Sequence, residues 1–303
     1  MTINAHPELP VFDYIKPASL LEASQFLANH PGEARPLSGG TDIFVRMRDG
    51  FWHDRYLVDI KHLDSTDSLT FDPARGLTLG AGVNMNQVIA SPHVQAHYPL
   101  LAQACRSVAS YQLRTRATLV GNICNASPAG DTIGACLVLG GVLNVHGVDG
   151  FRQLSLEGFF LGPGKNALKL GDIVTSIHFP ASPRGAAGVY LKLGRNAWSD
   201  LSIVGVTAYA YPESTLASGF HFRLALASVA PVPLLVPAVE QYLAAQPITP
   251  QAFQQAGKLA MSACTPIDDV RGSARYRKAM VRKLTEKALE QTWNRLDKPA
   301  MRV

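Results

Sequence analysis

The sequence predicts an α+β protein with two connected lobes followed by a third, mixed domain. Its 303 residues correspond to two or three domains of ordinary size. Short apolar runs alternate with helical patterns, and 25 glycines and 20 prolines supply many turns between them. Pro183, Gly185 and Gly188 interrupt this periodicity and mark a boundary. Hydrophobic residues at 47% and charged residues at 17% exclude a globally disordered chain.

Charge and cysteine usage exclude several classes of protein. The net charge is +5, but the basic residues are dispersed, so the charge alone does not indicate a nucleic-acid binder. We expect a cytoplasmic protein, since Met1–Tyr14 lacks a secretory pattern and no apolar run reaches about 20 residues. Cys105, Cys124, Cys136 and Cys264 form no CxxC pair, so we expect neither a disulfide framework nor a metal site.

The first lobe is predicted over residues 1–62. Ser19 is placed to cap a helix that contains Leu20 and Leu27 at helical spacing. A strand over Ala34–Leu37 enters a glycine turn, and a helix over Ile43–Arg48 follows at once. Tyr56–Ile60 is a candidate for a buried strand.

The second lobe is predicted over residues 63–180. Ser68–Phe71 and Gly76–Ala81 suggest a hairpin, and helices are expected around Met85–Ile89 and Leu100–Val108. Three apolar runs are predicted as strands: Cys136–Leu139, Val142–His146 and Ile173–Phe179. His93 and His97 stand four residues apart without a third ligand nearby, so we expect surface histidines there.

The third domain is predicted over residues 181–303, with strands at Val189–Leu193, Ile203–Tyr211 and Phe220–Val229 and helices at Val236–Ala244 and Tyr276–Trp293. An apolar stripe is expected to dock the last helix on its own domain: Tyr276, Met280, Leu284 and Ala288. Basic side chains cluster before and along this helix, and we expect them to lie on a face exposed to solvent. They are Arg271, Arg275, Arg277, Lys278, Arg282 and Lys283.

The first candidate site is the turn Ser38–Asp42. Consecutive glycines allow positive φ and a close approach of a ligand to the backbone amides, and Thr41 or Asp42 is placed to cap the next helix. The segment matches neither GxGxxG nor GxxxxGK[ST], which removes support for two common nucleotide folds. An ordinary turn remains open for this segment alone.

The second candidate site is Thr115–Asp131. Small and polar residues concentrate there, and their side chains can hydrogen-bond hydroxyl or phosphate groups of a ligand. Ser127 is predicted to cap a helix whose first residue is Pro128. A polar loop that caps a core helix is the alternative for this segment alone.

Taken together, in this order and at this separation, the two segments resemble the FAD-binding signatures of the flavoprotein (medium) subunit of molybdenum hydroxylases. That family includes carbon monoxide dehydrogenase, xanthine dehydrogenase and bacterial aldehyde and N-heterocycle oxidoreductases. Tyr190–Arg195, followed by Asp200–Val204, and Arg271–Arg277 are similar to two further stretches of the family. The resemblance covers essentially the whole chain. It implies a two-lobed FAD-binding domain of the PCMH type and a mixed α/β C-terminal flavoprotein domain.

The resemblance also implies which residues hold FAD. Backbone amides of the first turn would bind the pyrophosphate: Arg35, Pro36, Leu37, Ser38, Gly39, Gly40, Thr41, Asp42 and Ile43. The second signature would hold the opposite side of the cofactor: Ala117, Thr118, Gly121, Asn122, Cys124, Asn125, Gly130 and Asp131. Ile173 and Val174 would pack near the adenine or the ring system. Lys192 would lie near the flavin, where a cation favours the anionic reduced ring, with a solvated strand-end lysine as the alternative.

One departure from the family and two further points bear on the resemblance. The family usually has two glycines before the position of Asn122, whereas this chain has Val120-Gly121, so Val120 is left out of the predicted site. The first turn has no histidine or cysteine, which implies non-covalent FAD. The cysteine-rich insertion that holds a [4Fe–4S] cluster in some relatives is missing, so we expect no metal in this chain.

The family resemblance implies an electron-transfer subunit. It would take electrons from the [2Fe–2S] clusters of a small subunit and pass them to an external acceptor. A large subunit of the same complex would carry the molybdenum cofactor. No acid–base pair stands out, and no catalytic residue is predicted. Three alternatives stay open: a stand-alone FAD-dependent reductase similar to the enolpyruvyl-sugar reductase, a cofactor-free scaffold subunit, and a nucleic-acid binder acting through the basic helix.

Overall fold

The first lobe is built on a small parallel sheet. The computed structural model describes residues 8–196 and 199–296. The strand order is β1-β3-β2, all parallel, and two helices connect the strands. Ser19 caps the first helix as predicted, because its hydroxyl accepts a hydrogen bond from the Glu22 amide at 3.1 Å. The elements are β1 Asp13–Ile15, α1 Leu20–Asn29, β2 Ala34–Leu37, α2 Ile43–Arg48 and β3 Tyr56–Asp59.

The second lobe is built on a five-stranded antiparallel sheet in the order β4-β5-β10-β6-β7. The predicted hairpin is confirmed as β4 and β5. The strands are β4 Leu69–Asp72, β5 Gly76–Gly80, β6 Val142–Gly147, β7 Gly150–Ser155, β8 Phe160–Gly162, β9 Lys165–Asn166 and β10 Ile173–Phe179, with β8 and β9 forming a separate hairpin. Six short helices lie between β5 and β6: α3 Met85–Ala90, α4 Pro92–His97, α5 Pro99–Arg106, α6 Tyr111–Arg114, α7 Leu119–Cys124 and α8 Ile133–Val138.

The third part of the chain is a four-stranded antiparallel sheet, in sequence order, with three helices after it. The elements are β11 Ala187–Leu193, β12 Val204–Pro212, β13 Phe220–Ala227, β14 Leu234–Leu235, α9 Pro237–Ala245, α10 Pro250–Ala263 and α11 Ala274–Arg295. Helix α10 has no counterpart in the sequence prediction. None of the described helices combines the length and the apolar character needed to cross a bilayer.

One large core joins the two lobes to the third sheet. It extends from Leu20 and Val58 of the first lobe, through most buried residues of the second, to Tyr190 and Tyr209 of the third sheet. A second core lies between the third sheet and helices α9–α11. A third, small one contains Leu37, Met47 and Leu57 under the first sheet. The continuity of the large core holds the two candidate segments in a fixed relative position.

Two predictions around the second candidate segment are wrong. Cys136–Leu139 is predicted as a strand, but Cys136, Leu137 and Val138 belong to helix α8, all of whose residues are buried. A short, fully apolar run has no periodicity that separates a buried strand from a buried helix. Ser127 does not cap a helix either. Its hydroxyl accepts from the Ala129 amide within a turn, and α8 begins only at Ile133.

The expected docking of the last helix on its own domain is confirmed, with two exceptions. Met280, Leu284 and Ala288 of the predicted stripe pack against the second core. Tyr276, the first residue of the stripe, is exposed instead. Arg277, expected on the solvated face, lies buried beside Val281 and Thr285, because Asp269 and backbone carbonyls satisfy its charge inside the domain.

Candidate functional site

A cleft of about 390 Å³ lies where the glycine turn of the first lobe meets the second candidate segment. Sixteen of the twenty residues predicted for the cofactor line it: Arg35, Pro36, Ser38, Gly39, Gly40, Thr41, Asp42, Ile43, Ala117, Thr118, Gly121, Asn122, Cys124, Asn125, Ile173 and Val174. Val120, which the sequence analysis left out, also borders the cleft. The two segments are separated by about 80 residues of sequence, and the fold brings them together.

The two glycines of the first turn have different roles. Gly40 has φ +73°, a left-handed conformation that favours glycine. Gly39 is needed for a close approach, since a Cβ there would overlap the carbonyl oxygen of Arg116. The glycine pair predicts a close approach of a ligand to this turn, whereas in the structure the close approach is between the two lobes.

Hydrogen bonds fasten the first turn to the second lobe, in part to the second segment. The Ser38 hydroxyl donates to the Ala81 carbonyl at 2.9 Å, and its oxygen lies 3.5 Å from the Thr118 hydroxyl. Asn125 Nδ2 donates to Asp42 Oδ1 at 3.0 Å. Asp42 is therefore occupied by this contact and gives no side-chain cap to α2. These contacts hold the two walls of the cleft together.

Thr118 and Asn122 order the second wall. Thr118 caps helix α7, because its hydroxyl accepts from the Gly121 amide at 3.0 Å. The Thr132 hydroxyl donates to Asn122 Oδ1 at 2.7 Å. A Cβ at Gly121 would contact only the Thr118 hydroxyl, so the space beyond Gly121 is open. Val120 belongs to the large core and is 3% exposed.

The chemistry of the lining suits a dinucleotide. Hydroxyl, amide and backbone groups of the two segments lie beside apolar side chains, among them Leu27, Ile60, Met85, Val108 and Leu113. A ligand with a polar, phosphate-containing chain and an apolar ring system needs this combination. The lining residues thus fit FAD, with Arg35 and Lys169 as its cationic members within the described chain.

Four predicted site residues lie outside the cleft lining. Leu37 is buried in the small core under the first sheet. Gly130 is in the turn before α8, where a Cβ would lie 3.3 Å from Asn122 Oδ1. Asp131 and Lys192 contact each other at the junction with the third sheet.

The pair of Asp131 and Lys192 is part of a buried cluster. Lys192 Nζ lies 2.7 Å from Asp131 Oδ2, and the Tyr190 hydroxyl donates to Asp131 Oδ1 at 2.6 Å. Lys192 also donates to the carbonyl of Ser107, the residue before Val108 of the cleft. Burial raises the pKa of Asp131, and the ammonium of Lys192 opposes that rise. Lys192 is thus not the solvated strand-end lysine of the alternative reading.

Besides the apolar lining residues, two further parts of the lining were not predicted from the sequence. One is the segment between β8 and β10, with Gly164, Asn166 and Lys169–Asp172 at the cleft. Asn166 Nδ2 donates to the Cys124 carbonyl at 2.8 Å and so attaches this segment to α7. In the sequence, the glycines at 164 and 171 mark this segment as a candidate loop. Both have positive φ in the structure. The other part is Trp52, which no motif marks.

Comparison with known proteins identifies the family. Residues 10–182 match the model of the FAD-binding domain in molybdopterin dehydrogenase, and residues 189–292 match that of the CO dehydrogenase flavoprotein C-terminal domain. The chain belongs to the FAD-binding medium subunits of the molybdenum hydroxylase family. The predicted family, fold class and FAD cofactor are thereby confirmed, and the chain is a flavoprotein oxidoreductase subunit.

Individual relatives of this medium-subunit family match over nearly their whole length. The chain is 30% identical over 286 residues to the carbon monoxide dehydrogenase medium chain of Hydrogenophaga pseudoflava, covering 94% of this chain and 98% of the relative. It is 29% identical to a putative xanthine dehydrogenase FAD-binding subunit of Escherichia coli K12, covering 92% and 94%. Among solved structures, carbon monoxide dehydrogenase from H. pseudoflava superposes with a TM-score of 0.91 at 31% identity, covering 95% of this chain and 99% of that one.

Proposed function

We propose that this medium subunit receives electrons from the [2Fe–2S] clusters of a small partner subunit and passes them to an external acceptor. The observation that carries the proposal is the convergence of both signature segments on one cleft, with Ser38 next to Thr118 and Asp42 bonded to Asn125. A bound FAD supplies the chemistry, since it accepts and releases electrons one or two at a time. The chain itself has to hold and orient the cofactor.

The residues of the cleft divide this task. Backbone amides of Ser38–Thr41 at the cleft would bind the pyrophosphate. The amides of Gly121 and Asn122 are already bonded to Thr118, so these two residues would form the opposite wall of the cleft. Ile173 and Val174 supply apolar contact on the β10 side. Asp131, Tyr190 and Lys192 fix the junction between the second lobe and the C-terminal sheet, and in this proposal the flavin end of the cofactor lies on that side. No proton transfer by a side chain is required for electron transfer, so no catalytic residue is assigned.

FAD is bound without a covalent bond in this proposal. The turn that follows the glycines carries Thr41 and Asp42, and Asp42 is engaged with Asn125. The side chain of Cys124 lies at the cleft, but burial raises the pKa of its thiol to about 12, so it is not a thiolate nucleophile at neutral pH.

The partners in this proposal are a molybdenum-cofactor large subunit and a [2Fe–2S] small subunit. Support comes from relatives described as medium chains or FAD-binding subunits of larger dehydrogenases.

The test is to purify the chain, remove its cofactor and titrate the apoprotein with FAD. We expect absorption bands at about 370 and 450 nm in the holoprotein, binding at micromolar FAD or below, and complete release of flavin in denaturant. A colourless chain that refuses FAD would support the scaffold alternative and contradict the proposal. Steady NADPH oxidation with a sugar nucleotide would support the stand-alone reductase instead. Co-purification from the source cell identifies the partner chains.

A further inference from the structure

Arg35 is held rigidly by two residues outside both signatures. Its guanidinium carbon lies 3.7 Å from the centroid of the Trp52 ring, which is a stacked cation–π contact. Its Nε donates to Asp54 Oδ2 at 2.8 Å, and Asp54 is only 5% exposed. A ring on one face and a buried carboxylate at one edge fix both the plane and the rotation of the guanidinium group.

This arrangement leaves the outer edge of the guanidinium group available. Neither Nη atom of Arg35 has a hydrogen-bond partner among the described residues, and the side chain is 33% exposed. Arg35 and Trp52 both line the cleft. Arg35 belongs to β2, which leads into the glycine turn, and Trp52 belongs to the segment before β3. A fixed pair of N–H donors at a cleft matches the two oxygens of a phosphate group.

The position of Arg35 indicates which part of a dinucleotide it meets. The C-terminal sheet adjoins the cleft near Val108, through the bond of Lys192 to the Ser107 carbonyl. Arg35 and Trp52 belong to the first lobe, and no described hydrogen bond, ion pair or ring contact joins either of them to the C-terminal sheet. If the flavin end lies beside the C-terminal sheet, the adenylate half lies on the Arg35 side.

We infer that Arg35, positioned by Trp52 and Asp54, clamps the phosphate of the adenylate half of FAD and thereby contributes selectivity for FAD over FMN. This inference rests on the proposed function. The charge of Asp54 balances that of Arg35, so the clamp acts through directed hydrogen bonds and not through net positive charge. Arg35 is a binding residue in this assignment, and Trp52 is a positioning residue.

The test measures binding of FAD, ADP and FMN to the apoprotein by calorimetry. Arg35→Met keeps the length of the side chain and removes the donors, so we expect the dissociation constants of FAD and ADP to rise about 10- to 100-fold. The FMN value should change by less than about twofold. Arg46→Met is the matched control, because the Arg46 guanidinium also lies over Trp52, at 4.9 Å, but Arg46 does not line the cleft.

A second variant pair tests the positioning role of Trp52. Trp52→Phe keeps an aromatic face and should bind FAD within about threefold of the wild type, whereas Trp52→Leu should lose about tenfold. Thermal unfolding of each variant checks that the first lobe is intact. Unchanged FAD and ADP affinity in Arg35→Met, an equal loss in Arg46→Met, or an equal loss for FMN would overturn the inference. A wild-type apoprotein that binds no FAD would contradict the proposed function itself.

Discussion

At the scale of single residues, the close approach of the two lobes depends on Gly39. The carbonyl oxygen of Arg116 occupies the space that a Cβ would take, and it belongs to backbone next to Ala117 of the large core. A flexible side chain could move aside, but this backbone cannot do so without separating Ser38 from Thr118. The geometry of the cleft therefore depends on the missing side chain at this position.

Gly39→Ala is expected to weaken FAD binding at least tenfold and to lower the melting temperature, because the two lobes must separate locally. Flavin fluorescence titration and thermal unfolding measure the two effects. Gly162→Ala is the control, since a Cβ at Gly162 has no neighbour nearer than 3.9 Å. Normal affinity in Gly39→Ala would show that the lobes adjust without cost to the cleft.

The four cysteines are expected to be unreactive in the native protein. Burial raises the pKa of the Cys105, Cys124 and Cys264 thiols to about 12 and that of Cys136 well above its ordinary value. The thiolate is the reacting species, and the raised pKa values keep these thiols protonated at pH 8. A thiol-reactive dye should label no cysteine within minutes in the native state and all four in denaturant. Rapid labelling of a native thiol would contradict this expectation.

At the scale of elements, helix α11 shows how a charged residue can occupy a packed face. Arg277 is 1% exposed, and it donates to the Ser228 carbonyl at 2.8 Å and to Asp269. Hydrogen bonds from Arg271 and Arg277 hold the pKa of Asp269 well below its usual range. The helix, the segment before it and the end of β13 are joined by this one side chain.

Arg277→Met is expected to destabilise the protein by about 3 kcal/mol, because it leaves the Ser228 carbonyl without its buried donor and Asp269 with one cation fewer. Arg275→Met removes an equal charge from an exposed position of the same helix and should change the stability by less than about 0.5 kcal/mol. Urea unfolding measures both. Equal effects of the two substitutions would mean that the buried network contributes nothing beyond net charge.

At the scale of the whole molecule, the cluster of Asp131, Tyr190 and Lys192 connects the second lobe to the C-terminal sheet. Asp131 is adjacent to Thr132, which bonds Asn122 at the cleft. The wall of the cleft is therefore coupled to strand β11 through two consecutive residues. The division of the chain at residues 62 and 180 stays a prediction, and the large core runs across both positions.

Lys192→Met is expected to make stability depend on pH in a defined direction. Without the ammonium, the already raised pKa of buried Asp131 rises further, while in the unfolded chain it is about 3.9. The native state then binds a proton that the unfolded state releases, so the free energy of unfolding falls as the pH rises from 5 to 8.

Urea unfolding at several pH values measures this slope. Adding Asp131→Asn to Lys192→Met removes the buried carboxyl and should remove the additional slope. Lys165→Met, at an exposed position, should match the wild type throughout. An unchanged slope in Lys192→Met would show that water or another cation replaces the ammonium.

Local patterns predicted much of the fold. Ser19, Ala34–Leu37 and the hairpin of β4 and β5 follow from capping, β-propensity and turn residues, all of which act within a few positions. The prediction failed at Cys136–Leu139 and at Arg277. At the first, an apolar run has no internal period, and at the second, burial of a charge depends on partners from distant segments.

By itself, the sequence determined that the chain belongs to a flavoprotein family, because motif residues keep their order and spacing, and it predicted that two glycine-containing segments form the site. Only the tertiary structure decided that Gly39 packs on Arg116, that Lys192 is neutralised by Asp131, and that Trp52 and Asp54 hold Arg35. Such pairings join residues up to about 80 positions apart or lie outside any motif. They arise because packing selects neighbours by shape and charge in three dimensions, which local sequence does not encode.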